Sequence, residues 1–161
     1  MKKIFESERI KYVKVTKELV TEYLKMINDE TIQQYLTHEK ITVKLNEELE
    51  WITEKLKNNA VIFSMIEKET NEFIGNIEIL NIKDNIGELG ISITSKKQNK
   101  HYGQESIKRI LEYAKEELKL NIIDLNVYSI NKRGIHCYEK LGFKKIGPGK
   151  ELDDIRMRKM L

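Results

Sequence analysis

Tyr138 stands midway along a short helix-forming stretch, NKRGIHCYEKLGF, residues 131–143. Asn131 can cap that helix, Ile135, Tyr138 and Leu141 repeat at helical spacing, and Gly142 can end it. The apolar run IIDLNVY, residues 122–128, ends just before the cap and reads as a buried strand. A tyrosine so placed either packs between helix and sheet or presents its hydroxyl to a cleft at the strand end; a phenol, with a pKa near 10, suits a proton donor to a basic leaving group. Carboxylates appear at similar edges. Glu88 starts the polar face of an alternating run, with Gly90 and Ser92 beside it and Leu89, Ile91 and Ile93 opposite. Glu78 sits on the neighbouring run. Either is a candidate proton acceptor, and either reads equally as a solvated strand carboxylate.

A second stretch suits an anion. Residues 98–104, QNKHYGQ, lead from the run at 86–94 into the longest predicted helix, residues 103–118. The start of a helix exposes unpaired N–H groups at the positive end of its dipole. Lys96, Lys97 and Lys100 add charge there. The alternative is a plain solvated turn. Cys137 adjoins Tyr138, but neighbours on a helix do not face each other, so His136 cannot activate it, and a structural thiol is the simpler reading. His38 falls in an irregular loop and reads either as lining the substrate region or, the favoured reading, as an exposed loop histidine. Three scattered histidines and one cysteine form no metal-ligand pattern, so no metal is expected.

The elements that must position these groups follow from periodicity. Residues 8–15 predict a first strand, and Thr16 caps a helix to about residue 29. A short helix and loop follow over 30–45. Asn46 is the expected cap of a helix over 47–57, whose apolar face is Leu49, Ile52 and Leu56, with Trp51 beside it. Strands at 60–67 and 72–80, joined by a hairpin, precede the strand at 86–94. In the helix at 103–118, Ile107, Ile110, Leu111, Ala114 and Leu118 form one stripe. The strand at 122–128, the helix at 132–140, a short strand from 143 and a last strand at 155–160 complete the chain. The strand–helix–strand order of the second half implies a parallel pair in an otherwise mainly antiparallel sheet. The expected class is α+β, of the three-layer type, in one domain spanning 1–161.

Composition narrows the classes. A 40 % apolar and 34 % charged chain of 161 residues can bury a core and stay soluble. The lone cysteine forbids a disulfide framework and points to a reducing, cytoplasmic setting. No run approaches a membrane span, and MKKIFESERI lacks the apolar core of a secretion signal. A net charge of +3 suits an anionic ligand but is no nucleic-acid footprint.

Both chemical stretches resemble the GCN5-related N-acetyltransferase (GNAT) superfamily. The pattern Asn131-x-x-Gly134-Ile135-x-x-Tyr138-x-x-Leu141-Gly142-Phe143 is close to the family signature. The family's pyrophosphate loop reads Gln/Arg-x-x-Gly-x-Gly/Ala. Here Gln98 and Gly103 fit, His101 replaces the usual glycine, and Asn99 replaces a glycine common among close relatives. The closing IRMRKM is similar to the branch containing spermidine and ribosomal-protein N-acetyltransferases. The resemblance spans about residues 9–160.

It implies an acyl-CoA N-acyltransferase fold whose central parallel strands, 86–94 and 122–128, splay apart around acetyl-coenzyme A. The backbone of Ile91, Ser92 and Ile93 would hold the pantetheine arm. The N–H groups of Gln98, Asn99, Lys100, His101, Tyr102, Gly103 and Gln104 would hold the diphosphate, and the side chain of Asn131 would reach the coenzyme. The implied reaction is direct: a neutral amine attacks the thioester, strand N–H groups stabilise the oxyanion, and Tyr138 protonates the departing sulfur. Glu88 would act as base through a water, or attract the amine. His101 keeps the glycine's role only with a negative φ or a strained positive one.

The acceptor implied is a small amine such as a polyamine, or a peptide N-terminus, with no nucleic-acid or membrane partner, and a homodimer is allowed. Glu30, Glu39, Glu47 and Glu48 are candidates for an acidic mouth, or are simply solvated. The competing reading is a non-catalytic binding module that keeps the fold, suggested by His101 and Asn99.

Overall fold

The strands Val61–Glu67 and Phe73–Lys83 are apolar on both faces and the later strands mainly on one, so helices must cover one face of the sheet fully and the other in part. A computed structural model describes residues 1–161. Its strands are β1 (Lys3–Glu6), β2 (Ile10–Lys14), β3 (Val61–Glu67), β4 (Phe73–Lys83), β5 (Ile86–Ile93), β6 (Ile122–Tyr128), β7 (Lys144–Pro148) and β8 (Asp154–Met160). They form one sheet in the order β1-β2-β3-β4-β5-β6-β8-β7. The β5–β6 pair is parallel and every other pair is antiparallel. This is the expected mixed, mainly antiparallel α+β sheet, layered between helices.

One face carries Tyr12, Phe63, Ile77, Leu89, Ile123, Leu125 and Met157 into the main core. It is covered by α4 (Tyr102–Glu116) and α5 (Lys132–Lys140). The stripe Ile107, Ile110, Leu111 and Ala114 is buried against it as its spacing predicts, each large side chain contributing about 2 kcal/mol of apolar burial. The opposite face buries Val13, Ile62, Ile66 and Phe73 under α1 (Val20–Ile27), α2 (Glu30–Leu36) and α3 (Leu45–Lys57). These three helices cover the β2–β4 side of that face. Over β5, β6 and β8 the same face carries the polar residues Glu88, Asp124, Asn126, Arg156 and Arg158 instead.

Three local expectations change. The edge strand β1 precedes the predicted first strand. Its four residues carry a single inward anchor, Phe5, which stacks on Tyr12 at 4.5 Å and Tyr113 at 4.9 Å, too little periodicity to read in sequence. The first helix opens with a 3₁₀ turn at Lys17–Leu19. Asn46 lies inside α3 rather than capping it. Lys44 is the cap, and its N–H donates to the Glu47 carboxylate at 3.1 Å.

Asp124 is the charged residue that ties the last strands together. It is fully buried, and its oxygens accept from Arg156 (Nη2, 2.8 Å) and Arg158 (Nε, 2.7 Å; Nη2, 2.9 Å). Burial alone would raise its pKa, but the hydrogen bonds and charges of Arg158 and Arg156 outweigh burial and hold it below the usual carboxylate range. Its stabilising contribution is therefore complete above an unfolded aspartate's pKa of about 3.9 and is lost as pH falls through the lower folded value. Asp124→Asn should cost about 3 kcal/mol in urea unfolding at pH 7, because two arginines lose their buried partner. The gap to the wild type should shrink below about pH 4. A variant matching the wild type at pH 7 would show that the cluster does not hold β6 and β8 together.

Candidate active site

The parallel strands pair only from Ile86–Gly87–Glu88 to Ile122–Ile123–Asp124. Beyond Glu88, β5 stays paired with β4 as far as Ile93, and β6 with β8 as far as Tyr128. The two strands therefore part, and their facing edges have no strand partner. The Thr94 N–H donates to the Ile74 carbonyl. In an antiparallel ladder that fixes the alternation: the peptide groups of Gly90 and Ser92 face β4, and those of Leu89, Ile91 and Ile93 face the opening. Ile91 and Ile93 thus sit as expected for groups that pair with an extended ligand. Ser92 differs. Its N–H and C=O are turned to Asn76, so it lines the opening by its side chain.

The opening is a cavity of about 480 Å³. Its wall includes Leu89 to Ile93 from β5, Asn126 and Val127 from β6, Asn131 and Tyr138, and the loop before α4. Gln98, Asn99, His101, Tyr102, Gly103 and Gln104 all line it, while Lys100 turns to a separate polar groove with Arg9 and Lys108. Asn99 (φ 61°) and His101 (φ 63°) both adopt the left-handed conformation. Side chains other than glycine thus occupy the backbone geometry that favours glycine. The first N–H to return to α4's own backbone is that of Glu105, to the His101 carbonyl, which leaves the N–H groups of Tyr102, Gly103 and Gln104 without a helical acceptor.

Charge around that helix start differs from expectation. Lys97 is buried and paired with Glu67 (3.1 Å) and Glu72 (3.4 Å), so its charge is cancelled. Tyr102 is buried as well; its hydroxyl donates to Glu67 and the Arg9 guanidinium lies 4.1 Å over its ring. The cation that faces the loop is Arg133, on α5, which the sequence reading passed over. Its Nη1 donates to Asn99 Oδ1 (2.7 Å) and its Nη2 to Gln98 Oε1 (2.9 Å). Both acceptors are neutral, so the guanidinium charge is uncompensated. Gln98 Nε2 in turn donates to the Ile93 carbonyl at the end of β5 (3.0 Å). Loop, strand and helix are thereby joined.

Asn131 caps α5 as predicted, its Oδ1 accepting from the Gly134 N–H at 2.9 Å. A Cβ at position 134 would come within 2.5 Å of Asn131 Nδ2, so glycine is required there for the cap to close. With Oδ1 used, Nδ2 is the atom left to donate. Tyr138 is half-buried in the cavity wall, its ring 6.0 Å edge-on from Phe143. Burial, with a smaller push from Cys137, drives its pKa up to about 12, so the phenol is protonated throughout the neutral range. Burial also raises the Cys137 thiol, against any nucleophilic role.

A second cavity, about 160 Å³, shares Tyr35, Leu36 and Asn126 with the first. It is lined by Glu88, His38, Tyr128, Lys150, Glu151 and Asp154. Both Glu88 oxygens are occupied: Asn126 Nδ2 donates to Oε1 at 2.6 Å and Asn81 Nδ2 to Oε2 at 2.9 Å. The Lys150 N–H donates to Asn126 Oδ1, and since a backbone N–H only donates, this fixes which way the carboxamide points. Glu78 lines neither cavity. It pairs with Lys55 of α3 at 3.6 Å, and burial raises its pKa against the pull of Lys55.

The proposed acidic mouth is elsewhere too. Glu30 pairs with Lys40, Glu47 caps α3, Glu48 is buried, and none of these, nor Glu39, lines the cavities. The carboxylates at the second cavity are Glu88, Glu151 and Asp154. Trp51 packs edge-on against Tyr23 at 6.0 Å, within the second core.

The family model described as "Acetyltransferase (GNAT) domain" matches residues 9–144. The chain belongs to the GNAT family. The SPbeta prophage-derived uncharacterized N-acetyltransferase YokL of Bacillus subtilis is 30 % identical over 100 residues, 61 % of this chain and 56 % of that protein. The uncharacterized N-acetyltransferase p20 of Bacillus licheniformis is 29 % identical over 57 % of this chain and 53 % of its own. The chain thus spans about half the length of these curated relatives. Among solved structures, spermidine N-acetyltransferase from Vibrio cholerae, in complex with CoA and spermine, superposes with a TM-score of 0.83 at 23 % identity, covering 94 % of this chain and 95 % of that one. In this GNAT domain the histidine at position 101 adopts the left-handed backbone that favours glycine.

The strain at His101 is measurable. His101→Gly should raise stability by about 1 kcal/mol, the cost of a left-handed non-glycine residue less the extra freedom of the unfolded glycine, seen as a Tm higher by about 2–4 °C. A lower Tm would mean that the imidazole itself holds the loop.

Proposed function

We propose that this chain is an N-acetyltransferase that moves an acetyl group from acetyl-coenzyme A directly to a primary amine. The observation that carries this is the join between the two cavities. A strand-lined opening, with the start of α4 and the Arg133 guanidinium at its far end, meets at Asn126 a smaller cavity that carries three carboxylates. The donor set fits the coenzyme. The N–H and C=O of Ile91 and the N–H of Ile93, which have no strand partner, suit the amides of a pantetheine arm, while the Ile93 carbonyl is taken by Gln98; the free N–H groups at the start of α4, with Arg133, suit a diphosphate.

Acetyl-coenzyme A would supply a thioester carbonyl whose C–S bond breaks as the new C–N bond forms. The N–H of Ile91 is the donor available to the carbonyl oxygen as charge grows on it. Tyr138, kept protonated by its burial, gives its proton to the departing sulfur. Asn131 Nδ2 donates to the coenzyme. The Glu88 carboxylate, which accepts hydrogen bonds from the Asn81 and Asn126 side chains, presents negative charge to an incoming ammonium, and Glu151 and Asp154 extend it. A cationic amine is favoured for that reason. The Vibrio cholerae spermidine acetyltransferase, similar in fold, makes spermidine a sensible first acceptor to assay. A peptide with a free N-terminus is the second.

Tyr138→Phe should lower kcat by about 10²–10³-fold and leave the dissociation constant for coenzyme A unchanged, by calorimetry. Glu88→Gln should raise KM for the amine while the acid limb of the pH–rate profile persists. Should the coenzyme bind without turnover of any amine in a broad panel, the non-catalytic module becomes the correct reading. Failure to bind coenzyme A at all would remove the enzyme reading outright.

A further inference from the structure

We propose that His38, oriented by Asp154, is the group that takes the proton from the acceptor amine. The proposal rests on the acetyl-transfer reading above. His38 lies just beyond α2, on the loop that crosses from α2 to α3, and belongs by position to the segment least legible in sequence. The fold carries it over the sheet to the far end of β8. There its Nε2 lies 3.1 Å from Asp154 Oδ1, and its ring stands edge-on to Tyr128, centroids 4.5 Å apart. Asp154 is itself held: its Oδ2 accepts from the Glu151 N–H at 3.2 Å. These residues share the cavity with Glu88 and Asn126, and Asn126 also lines the coenzyme opening.

Three physical points carry the argument. First, an ionised carboxylate only accepts, so the Asp154 contact places the hydrogen of neutral His38 on Nε2. Nδ1 is then the basic atom. An imidazole whose tautomer and ring are fixed by an aspartate is the arrangement a general base requires. Second, both oxygens of Glu88 already accept carboxamide protons, so Glu88 is built to hold charge beside the amine rather than to take its proton. Third, an imidazole is about two pH units closer than a carboxylate to the alkylammonium it must deprotonate. The charged and titratable groups around the ring are Asp154, Glu151 and Lys150 from the β7–β8 hairpin, Glu88 from β5, Tyr128 from β6 and Tyr35 from α2.

The protons balance as follows. His38 Nδ1 takes one proton from R–NH3⁺, freeing the nitrogen lone pair that forms the C–N bond. Tyr138 gives its proton to the sulfur as the C–S pair departs. The second nitrogen proton returns to the Tyr138 oxygen through water, and His38 releases its proton to solvent. The sum is R–NH3⁺ plus the thioester giving the amide, the free thiol and one proton.

Two measurements on the full chain test this. Long-range ¹H–¹⁵N correlations at pH 8 report each histidine's tautomer, with the His38 signals identified by their loss in His38→Gln. The expected result is Nε2–H with bare Nδ1, in greater excess than in Asp154→Ala, where the acceptor is gone; an Nδ1–H tautomer, or the same tautomer ratio in both proteins, overturns the proposal. The second is kcat/KM against pH with spermidine as acceptor, or an alanine-initiated peptide where spermidine is not turned over. His38→Gln should lose the acid limb and about 10²-fold in kcat, with KM for acetyl-coenzyme A unchanged, and imidazole in the buffer should partly restore His38→Ala. A His38→Gln enzyme that keeps the acid limb and loses only amine affinity overturns the proposal, since loop packing would then explain it. Absence of wild-type turnover with every amine would count against the acetyl-transfer reading, and the tautomer would still decide the dyad.

Discussion

Everything at the site depends on where β5 and β6 stop pairing. A parallel pair in the middle of a sheet normally satisfies both inner edges, and an unpaired peptide group away from water is costly. Here each strand remains bonded to its outer neighbour while the inner edges separate after Glu88 and Asp124. The separation is tolerable because it opens onto a cavity, where solvent or a ligand meets the free groups of Ile91 and the Ile93 N–H, and because the Gln98 side chain satisfies the Ile93 carbonyl. Asp124 marks the fork. Its two arginines belong to β8, so the last bonded position of the parallel pair is also where β6 is pinned to its other partner.

The polarity of the surroundings follows from the same fork. On the helix-covered face, α4 and α5 bring a helix start, Arg133 and Tyr138 to one side of the gap. On the other face the α1–α3 layer stops short, so Glu88 and Asn126 face a cavity lined by Tyr35 and Leu36 at the end of α2, by His38, and by Lys150, Glu151 and Asp154. A positive end and a negative end thus meet across the thickness of one sheet. On the proposed reading, an anionic donor and a cationic acceptor would enter from opposite sides, and Asn126 is the residue common to both cavities. The single fixed orientation of its carboxamide, set by the Lys150 N–H, couples the β7–β8 hairpin to Glu88.

What the sequence made legible is what repeats locally. The β6–α5 unit, with its Asn131 cap and Gly134, was readable because strand alternation, capping chemistry and helical spacing agree within twenty residues. The β5 faces were readable for the same reason. The loop at 98–104 was located, but its electrostatics were not: Lys97 looks like a surface cation until the hairpin carboxylates Glu67 and Glu72 fold over it. His101 is the reverse case. A residue that breaks the pattern by type adopts the left-handed backbone that favours glycine, which its type alone does not announce. Least legible were the long-range pairs. His38 and Asp154 are 116 residues apart, and Arg133 reaches back 34 residues to Asn99. The only local hint was a pair of polar residues, Asp124 and Asn126, inside an apolar strand.

The central claim is that the gap between β5 and β6 holds acetyl-coenzyme A through backbone groups. Titrating the coenzyme into ¹⁵N-labelled protein and following the amide resonances tests it most directly. The account predicts saturable shifts concentrated at Leu89, Ile91 and Ile93, at residues 98–104, and at the Asn131 side-chain amide, with Ser92 moving less than its neighbours. Shifts confined to the Arg9–Lys108 groove, or none at saturating coenzyme, would contradict it.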